Sequence, residues 1–193
     1  MRRIYNILLV ILIIAAIMIG ANIVYTYRKD KRTENEIIEA VSDIEDNIQN
    51  NESTAPENVT YKGYDVVGII EIPKIEIKYL ILSNTTEETM SVSVTKFWGP
   101  EINEIGNFSI AGHNNWNGTM FGKVKRLEKG DIIKLSDLKG NTVEYEVFDK
   151  YPVDPNDISC AESVEPGTRE VTLITCTNGH KQRQIVKARE KLN

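Results

Sequence analysis

Residues 4–25 carry no charged side chain, and residues 7–21 are apolar throughout. As a helix this stretch is about 33 Å long, enough to cross the hydrocarbon core of a bilayer. Ile19, two residues before Ala21, breaks the small-residue spacing of a signal-peptide cleavage site. An uncleaved transmembrane anchor over residues 1–28 is therefore expected. Beyond it, Ile37, Ile38, Val41, Ile44 and Ile48 recur at helical spacing among Glu, Asp and Asn. That period predicts a short amphipathic helix, solvated on most sides. Residues 50–56, rich in Asn, Ser, Thr and Pro, read as a flexible linker. Residues 29–60 together form a polar, partly helical stalk that spaces the rest of the chain from the membrane.

From Tyr61 the period becomes two. Residues 66–72 predict a strand closed by Pro73, and residues 75–82 a second, in which Ile75, Ile77 and Tyr79 alternate with Glu76 and Lys78. Residues 89–97 predict a helical turn, residues 108–111 a strand, and residues 120–127 a short helix. Residues 131–135 and 142–153 predict strands joined through Lys139-Gly140-Asn141, with two more strands at 171–176 and 183–190. About seven short strands with few helices predict a mainly β fold, a closed or nearly closed barrel, over residues 61–193.

Composition adds little to this outline, but charge adds more. Apolar residues make up 41% and charged residues 26%, as in an ordinary globular domain with a packed core. Residues 1–32 hold six basic side chains and one acid, which leaves a net charge of −10 on the remainder. So acidic a body repels phosphate backbones, and nucleic acid is not an expected partner. The basic flanks of the apolar segment, Arg2 and Arg3 before it and Arg28, Lys29, Lys31 and Arg32 after it, lean by themselves toward a cytoplasmic body. Two cysteines, Cys160 and Cys176, are too few for a disulfide scaffold, although they could form one bridge.

The candidate chemistry sits at two strand ends. Val171-Thr172-Leu173-Ile174-Thr175-Cys176 is a β-branched, apolar run ending in a thiol, followed at once by the turn residues Thr177-Asn178-Gly179. Cys176 thus lies at the mouth of a strand, where a thiol can meet solvent and substrate. Arg183 opens the next strand and can lie beside it across the hairpin, favouring the thiolate and a developing oxyanion. A second strand, residues 108–111, delivers His113 through Gly112. A cysteine nucleophile needs an acid to protonate the leaving amine, and histidine is the usual one. His180, in the loop after Cys176, is the alternative acid, and spacing does not separate the two.

Taken in order, Val67-Gly68-Ile69-Ile70-Glu71-Ile72-Pro73-Lys74-Ile75-Glu76-Ile77, Ala111-Gly112-His113, Gly130-Asp131 and Leu173-Ile174-Thr175-Cys176 with Arg183 resemble the sortase family over roughly residues 65–190. Asn117-Gly118-Thr119-Met120-Phe121-Gly122 resembles class B members, whereas the short chain looks more like class D. The resemblance implies a sortase-type β-barrel behind an amino-terminal anchor. It implies that Cys176 is the nucleophile, His113 the general acid and base, and Arg183 the oxyanion or substrate-positioning residue, with Arg189 on the same strand as second choice. Thr175 and Ala111 would bind substrate.

The implied activity is a cysteine transpeptidase. It would cleave a Leu-Pro-X-Thr-Gly-like sorting signal of a secreted protein, hold the product as a thioester, and transfer it to an amine of a peptidoglycan precursor or pilin. That chemistry puts the body outside the cell, against the charge count. Asp154, Asp157, Glu162 and Glu165 in the loop 154–167 offer oxygen ligands for calcium, but they lack EF-type spacing, so no cofactor is expected. The same loop would exclude water from the reacting centre. Cys160 within it is expected to be inert.

Overall fold

The structure, a computed structural model, describes residues 2–50, 59–162 and 165–192. It begins with a single 49-residue helix, α1 (Arg2–Asn50). The strands follow as β1 (Thr60–Tyr61), β2 (Tyr64–Ile72), β3 (Ile77–Leu82), β4 (Val94–Trp98), β5 (Gly106–Ala111), β6 (Ile132–Ser136), β7 (Thr142–Val153), β8 (Arg169–Thr177) and β9 (Gln182–Glu190). Two short helices interrupt them, α2 (Glu87–Val92) and α3 (Ser159–Glu162). The sheet runs β1-β2-β3-β4-β5-β8-β9-β7-β6, and a further β2–β6 pairing closes β2 through β9 into an eight-stranded barrel. Closure removes the open edges through which sheets aggregate. The pairs β3–β4 and β5–β8 are parallel, and the other pairs are antiparallel.

Alternation along each strand decides what the barrel encloses. On β8, Val171 and Leu173 are wholly buried in the core, together with Phe108 and Ile110 of β5 and Val186 and Ala188 of β9. Their neighbours on the other face, Ile174 and Cys176 of β8, Ala111 of β5 and Ile185 of β9, therefore look outward from the barrel wall. The site described below lies on that outer face.

Two expected elements differ. Residues 89–97 are not one helical turn. Thr86 caps α2, accepting from the Thr89 backbone N–H at 3.1 Å, and α2 stops at Val92. Val94–Trp98 then becomes β4, parallel to β3 and antiparallel to β5. Residues 120–127 are turns with one tight 3-10 turn at Val124–Arg126, because the backbone at Gly118 and Met120 has positive φ. The helical spacing of Met120, Phe121, Val124 and Leu127 is still used, since all four are buried.

The stalk also departs from expectation. All of the expected linker 50–56 but Asn50 lies outside the described residues, and Asn50 ends α1, which is continuous from the apolar segment and packs its second half on the barrel. Ile37 and Val41 are buried in the barrel's hydrophobic cluster, with Ala40 and Ile44 against it. Tyr79 donates its hydroxyl to Glu34 at 2.7 Å, and Lys62 and Lys78 pair with Glu36 and Glu45, both at 2.6 Å. The isoleucines and valine that recur at helical spacing mark a docking stripe, so the segment is a strap and not a solvated spacer.

Candidate functional site

The groove starts from a parallel ladder that ends unevenly. The β5–β8 backbone bonding closes with Gly112 N–H donating to Ile174 O at 3.1 Å. Side chains continue the ladder from there. Thr175 Oγ1 donates to Gly112 O at 2.7 Å, and Asn114 Nδ2 donates to Cys176 O at 2.6 Å. These three contacts fix the end of β5, and His113 with it, against the end of β8. The loop leaving His113 is also closed on itself. Phe121 N–H donates to His113 O at 2.9 Å, and Asn117 Oδ1 accepts from the Thr119 backbone N–H and hydroxyl at 3.2 and 2.9 Å. Gly112 has a packing reason to lack a side chain. A Cβ there would come within 2.8 Å of the Phe121 ring and 3.0 Å of Val94. The close approach at Gly112 is thus made by core side chains.

Cys176 and Arg183 are direct partners in the β8–β9 ladder, so their side chains leave the same face. The guanidinium donates to the carbonyl oxygens of His180 and Gln182 at 3.4 and 3.5 Å. Among the described residues no carboxylate pairs with it. Arg189 differs in both respects. It lies opposite Glu170, pairs with Glu170 and Glu165 at 2.8 and 2.9 Å, and covers the Phe148 ring. His180 is exposed in the β8–β9 turn.

One groove of about 260 Å³ runs along this face. Ala111, Ile174 and Ile185 form its apolar floor. His113, Thr175, Cys176 and Arg183 stand along it, and Met90 and Phe97 line one wall. Pro155, Asp157, Ile158 and Cys160, from the loop between β7 and β8, complete it. The five residues singled out in the sequence, Ala111, His113, Thr175, Cys176 and Arg183, all line it, whereas His180 and Arg189 do not. Sequence reasoning missed Asn114, Met90, Phe97 and Ile158. Asn114 alone had a local signal, as a polar side chain next to His113.

The two cysteines are both free thiols. Cys176 is half-buried and faces the groove. Cys160 is buried on α3, and burial, with Asp157 adding to it, pushes its thiol above the ordinary range. The acidic loop spends its carboxylates locally: Asp154 accepts from Asn156 N–H at 2.9 Å, Asp157 from Ser159 N–H at 3.0 Å, and Glu165 pairs with Arg189. Among the described residues no cluster of three or more metal-ligating side chains forms. Chemically, the groove offers a thiol nucleophile, an imidazole that can carry a proton and an unpaired cation, above an apolar floor fit for an extended peptide.

Comparison with known proteins points one way. The Sortase domain family model matches residues 70–191. Sortase A of Bacillus anthracis is 28% identical over 191 residues, covering 92% of this chain and 89% of that protein. Sortase A of Listeria monocytogenes is 30% identical over 112 residues, 58% of this chain, and the match spans about half of that protein, 49%. Among solved structures, sortase C-1 from Actinomyces oris is similar at a TM-score of 0.60 and 32% identity, covering 67% of this chain and 76% of that one. A Clostridium perfringens Sortase D5 transpeptidase is similar at 0.62 and 27%, covering 84% and 98%.

Proposed function

Because this chain belongs to the sortase family of cysteine transpeptidases, we propose that it cleaves a Leu-Pro-X-Thr-Gly-like sorting signal and transfers the protein to an amine, with Cys176 as nucleophile. The observation that carries the reading is the shared groove, in which the Cys176 thiol, the His113 imidazole and the Arg183 guanidinium stand over a floor of Ala111, Ile174 and Ile185. The apolar floor suits the Leu and Pro side chains of such a signal.

In the first step the Cys176 thiolate attacks the carbonyl carbon before the scissile bond, forming a C–S bond. Arg183 holds the tetrahedral oxyanion by charge-assisted hydrogen bonds. The C–N bond then breaks, and His113 as imidazolium gives its proton to the departing amine. The product is a thioester on Cys176. In the second step an acceptor amine, from a peptidoglycan precursor or a pilin lysine, attacks the thioester. His113 takes the amine's proton, the new amide forms and the thiolate leaves. Covalent catalysis divides one hard acyl transfer into two easier ones. Thr175 and Ala111 border the acyl chain. The wall from the β7–β8 loop shields the thioester from water, which favours transfer over hydrolysis. No cofactor takes part. The apolar half of α1, long enough to cross a membrane, anchors the chain with the barrel outside the cell, where both substrates reside.

The test is intact-mass spectrometry of the detergent-solubilised full chain after incubation with a panel of sorting-signal peptides, with Cys176→Ala alongside. A hydroxylamine-labile adduct on the wild type alone supports the reading and identifies the motif. A folded, reduced protein that forms no adduct with any peptide would instead mark a tethered binding module.

A further inference from the structure

The direction in which α1 meets the barrel fixes which end of the barrel faces the bilayer. Following α1 away from its apolar half, the first contacts are with the loop after His113 and with α2 beside it. Tyr27 lies against Trp116, ring centroids 6.1 Å apart. Asn117 donates to Asp30 at 2.9 Å. Lys29, Asp30 and Thr33 then border a small cavity of about 160 Å³ with Met90 and Ser91 of α2 and with His113, Asn115, Thr119 and Met120. Only later come Glu34 on Tyr79, Glu36 on Lys62 before β2, Glu45 on Lys78, and Ile48 beside Gly140 in the β6–β7 turn. The groove end of the barrel is therefore the end nearest the apolar helix.

Distance along α1 sets how near. From Tyr25 to Asp30 is five residues, or about 7.5 Å of helix. The headgroup layer beyond the hydrocarbon core is itself about 5–8 Å thick on each side. The loop around Trp116 falls at that depth. Its surface chemistry agrees: Trp116, Tyr25 and Tyr27 are 66%, 69% and 44% exposed. Trp and Tyr are the side chains that concentrate at the membrane interface, apolar body toward lipid and polar tip toward water. Arg28, Lys29 and Arg32 are exposed on the same turns, and with Tyr25 they edge a notch of about 310 Å³. They form a basic collar on a chain whose residues 33–193 carry a net charge of −10. Such a collar suits lipid phosphates, which the rest of the surface would repel.

We propose that the loop of residues 113–119 docks on the headgroup layer of the bilayer that α1 crosses. Trp116 is immersed in that layer, and the Cys176 groove opens at the membrane surface. The inference rests on the anchoring role given to α1, not on the catalytic roles. It makes the occupant of this face a phospholipid surface, and it requires substrates of the groove to be reached while still attached to the membrane.

Tryptophan fluorescence of the full chain in phosphatidylcholine–phosphatidylglycerol vesicles tests this, using lipids brominated high on the acyl chain as quenchers. Trp98→Phe leaves Trp116 alone; Trp98 is 53% exposed, so the replacement is mild. Its emission is expected to shift to the blue and to be quenched about twofold by the brominated lipid. Trp116→Phe, which leaves Trp98, and a reporter in the far turn (Lys139→Trp in a chain lacking both tryptophans) are expected to be unaffected. A Trp116 that is unquenched by lipid and open to aqueous iodide overturns the proposal. So does equal quenching at residues 116 and 139, which would mean the barrel lies on its side. The readout does not use Cys176, so a failure here is distinct from a failure of the peptide-adduct experiment.

Discussion

Asn114 donates its side-chain amide to the carbonyl of Cys176 at 2.6 Å, joining the residue after His113 to the residue that carries the thiol. Thr175 makes the companion bond to Gly112 at 2.7 Å. The imidazole and the thiol therefore ride on two strand ends pinned by side chains. Asn114→Ala is expected to lower kcat about tenfold with KM little changed, since misplacing reacting groups by an ångström is costly while the floor of the groove is untouched. Thr175→Val also orphans the buried Gly112 carbonyl, so it is expected to cost about 1–3 kcal/mol of stability as well. Steady-state peptide cleavage and denaturant titration separate the two effects. A change in KM alone for Asn114→Ala would contradict the positioning role.

The groove excludes His180 and Arg189, and this gives a paired prediction. His113→Ala is expected to reduce turnover by about 10²-fold or more, as loss of a general acid does, while His180→Ala stays within about twofold. Arg183→Lys keeps the charge but loses the planar fork, and a fall of about 10²-fold in kcat/KM is expected. Arg189→Lys is expected to act on stability instead, because Arg189 donates to the buried Glu170. Reversal of either pair in a peptide-cleavage assay would move the acid or the oxyanion role elsewhere.

The strand ends bearing Cys176 and His113 were legible because a β-branched run followed by turn residues writes both a strand and its end into local sequence. Arg183 followed from hairpin geometry. The walls were not legible. Phe97 reaches the groove because β4 pairs with β3 and β5, and Met90 reaches it from α2; β4 itself hid behind α2, whose cap at Thr86 and short length made residues 89–97 read as one helical turn. The docking of α1 was written in Ile37, Val41, Ile44 and Ile48, but one stripe of apolar residues does not say what it packs against. Glu34 was the missing clue. A carboxylate inside that stripe is buried only if something like the Tyr79 hydroxyl waits for it.

Cys160 and Cys176 border the same groove but should differ in reactivity. Burial raises the Cys160 thiol, so at neutral pH it stays protonated and covered. Iodoacetamide at pH 7 is expected to place one label, on Cys176, with Cys160 reacting only after denaturation. The sign for stability follows from the same shift. The folded chain holds the Cys160 proton more tightly than the unfolded chain, so this contribution is complete below the ordinary thiol range and is lost as pH rises from about 8.5 upward. Peptide mapping of the labelled native protein checks the assignment, and a first label on Cys160 would contradict it.

The strap makes the choice of fragment a measurement in itself. Tyr79 and Glu34 are 0% and 8% exposed, and burial together with the Glu34 hydrogen bond drives the Tyr79 hydroxyl far above its ordinary range. Removing α1 uncovers the face that receives Ile37 and Val41 and takes away the acceptor of that hydroxyl. Each of the two aliphatic side chains contributes about 1.5–3 kcal/mol on burial, partly offset by the entropy of ordering the helix. A soluble fragment beginning at Lys29 is therefore expected to be about 2–4 kcal/mol more stable than one beginning at Asn58, a Tm higher by roughly 5–15 °C. Ile37→Ala with Val41→Ala in the longer fragment should remove most of that difference, because large-to-small replacement leaves the stripe unable to fill the barrel's surface. Calorimetry on the three proteins checks this. Equal melting temperatures for the two fragments would mean that the helix adds nothing to the folded barrel, and that its contacts with residues 113–119 do not hold the loop in place.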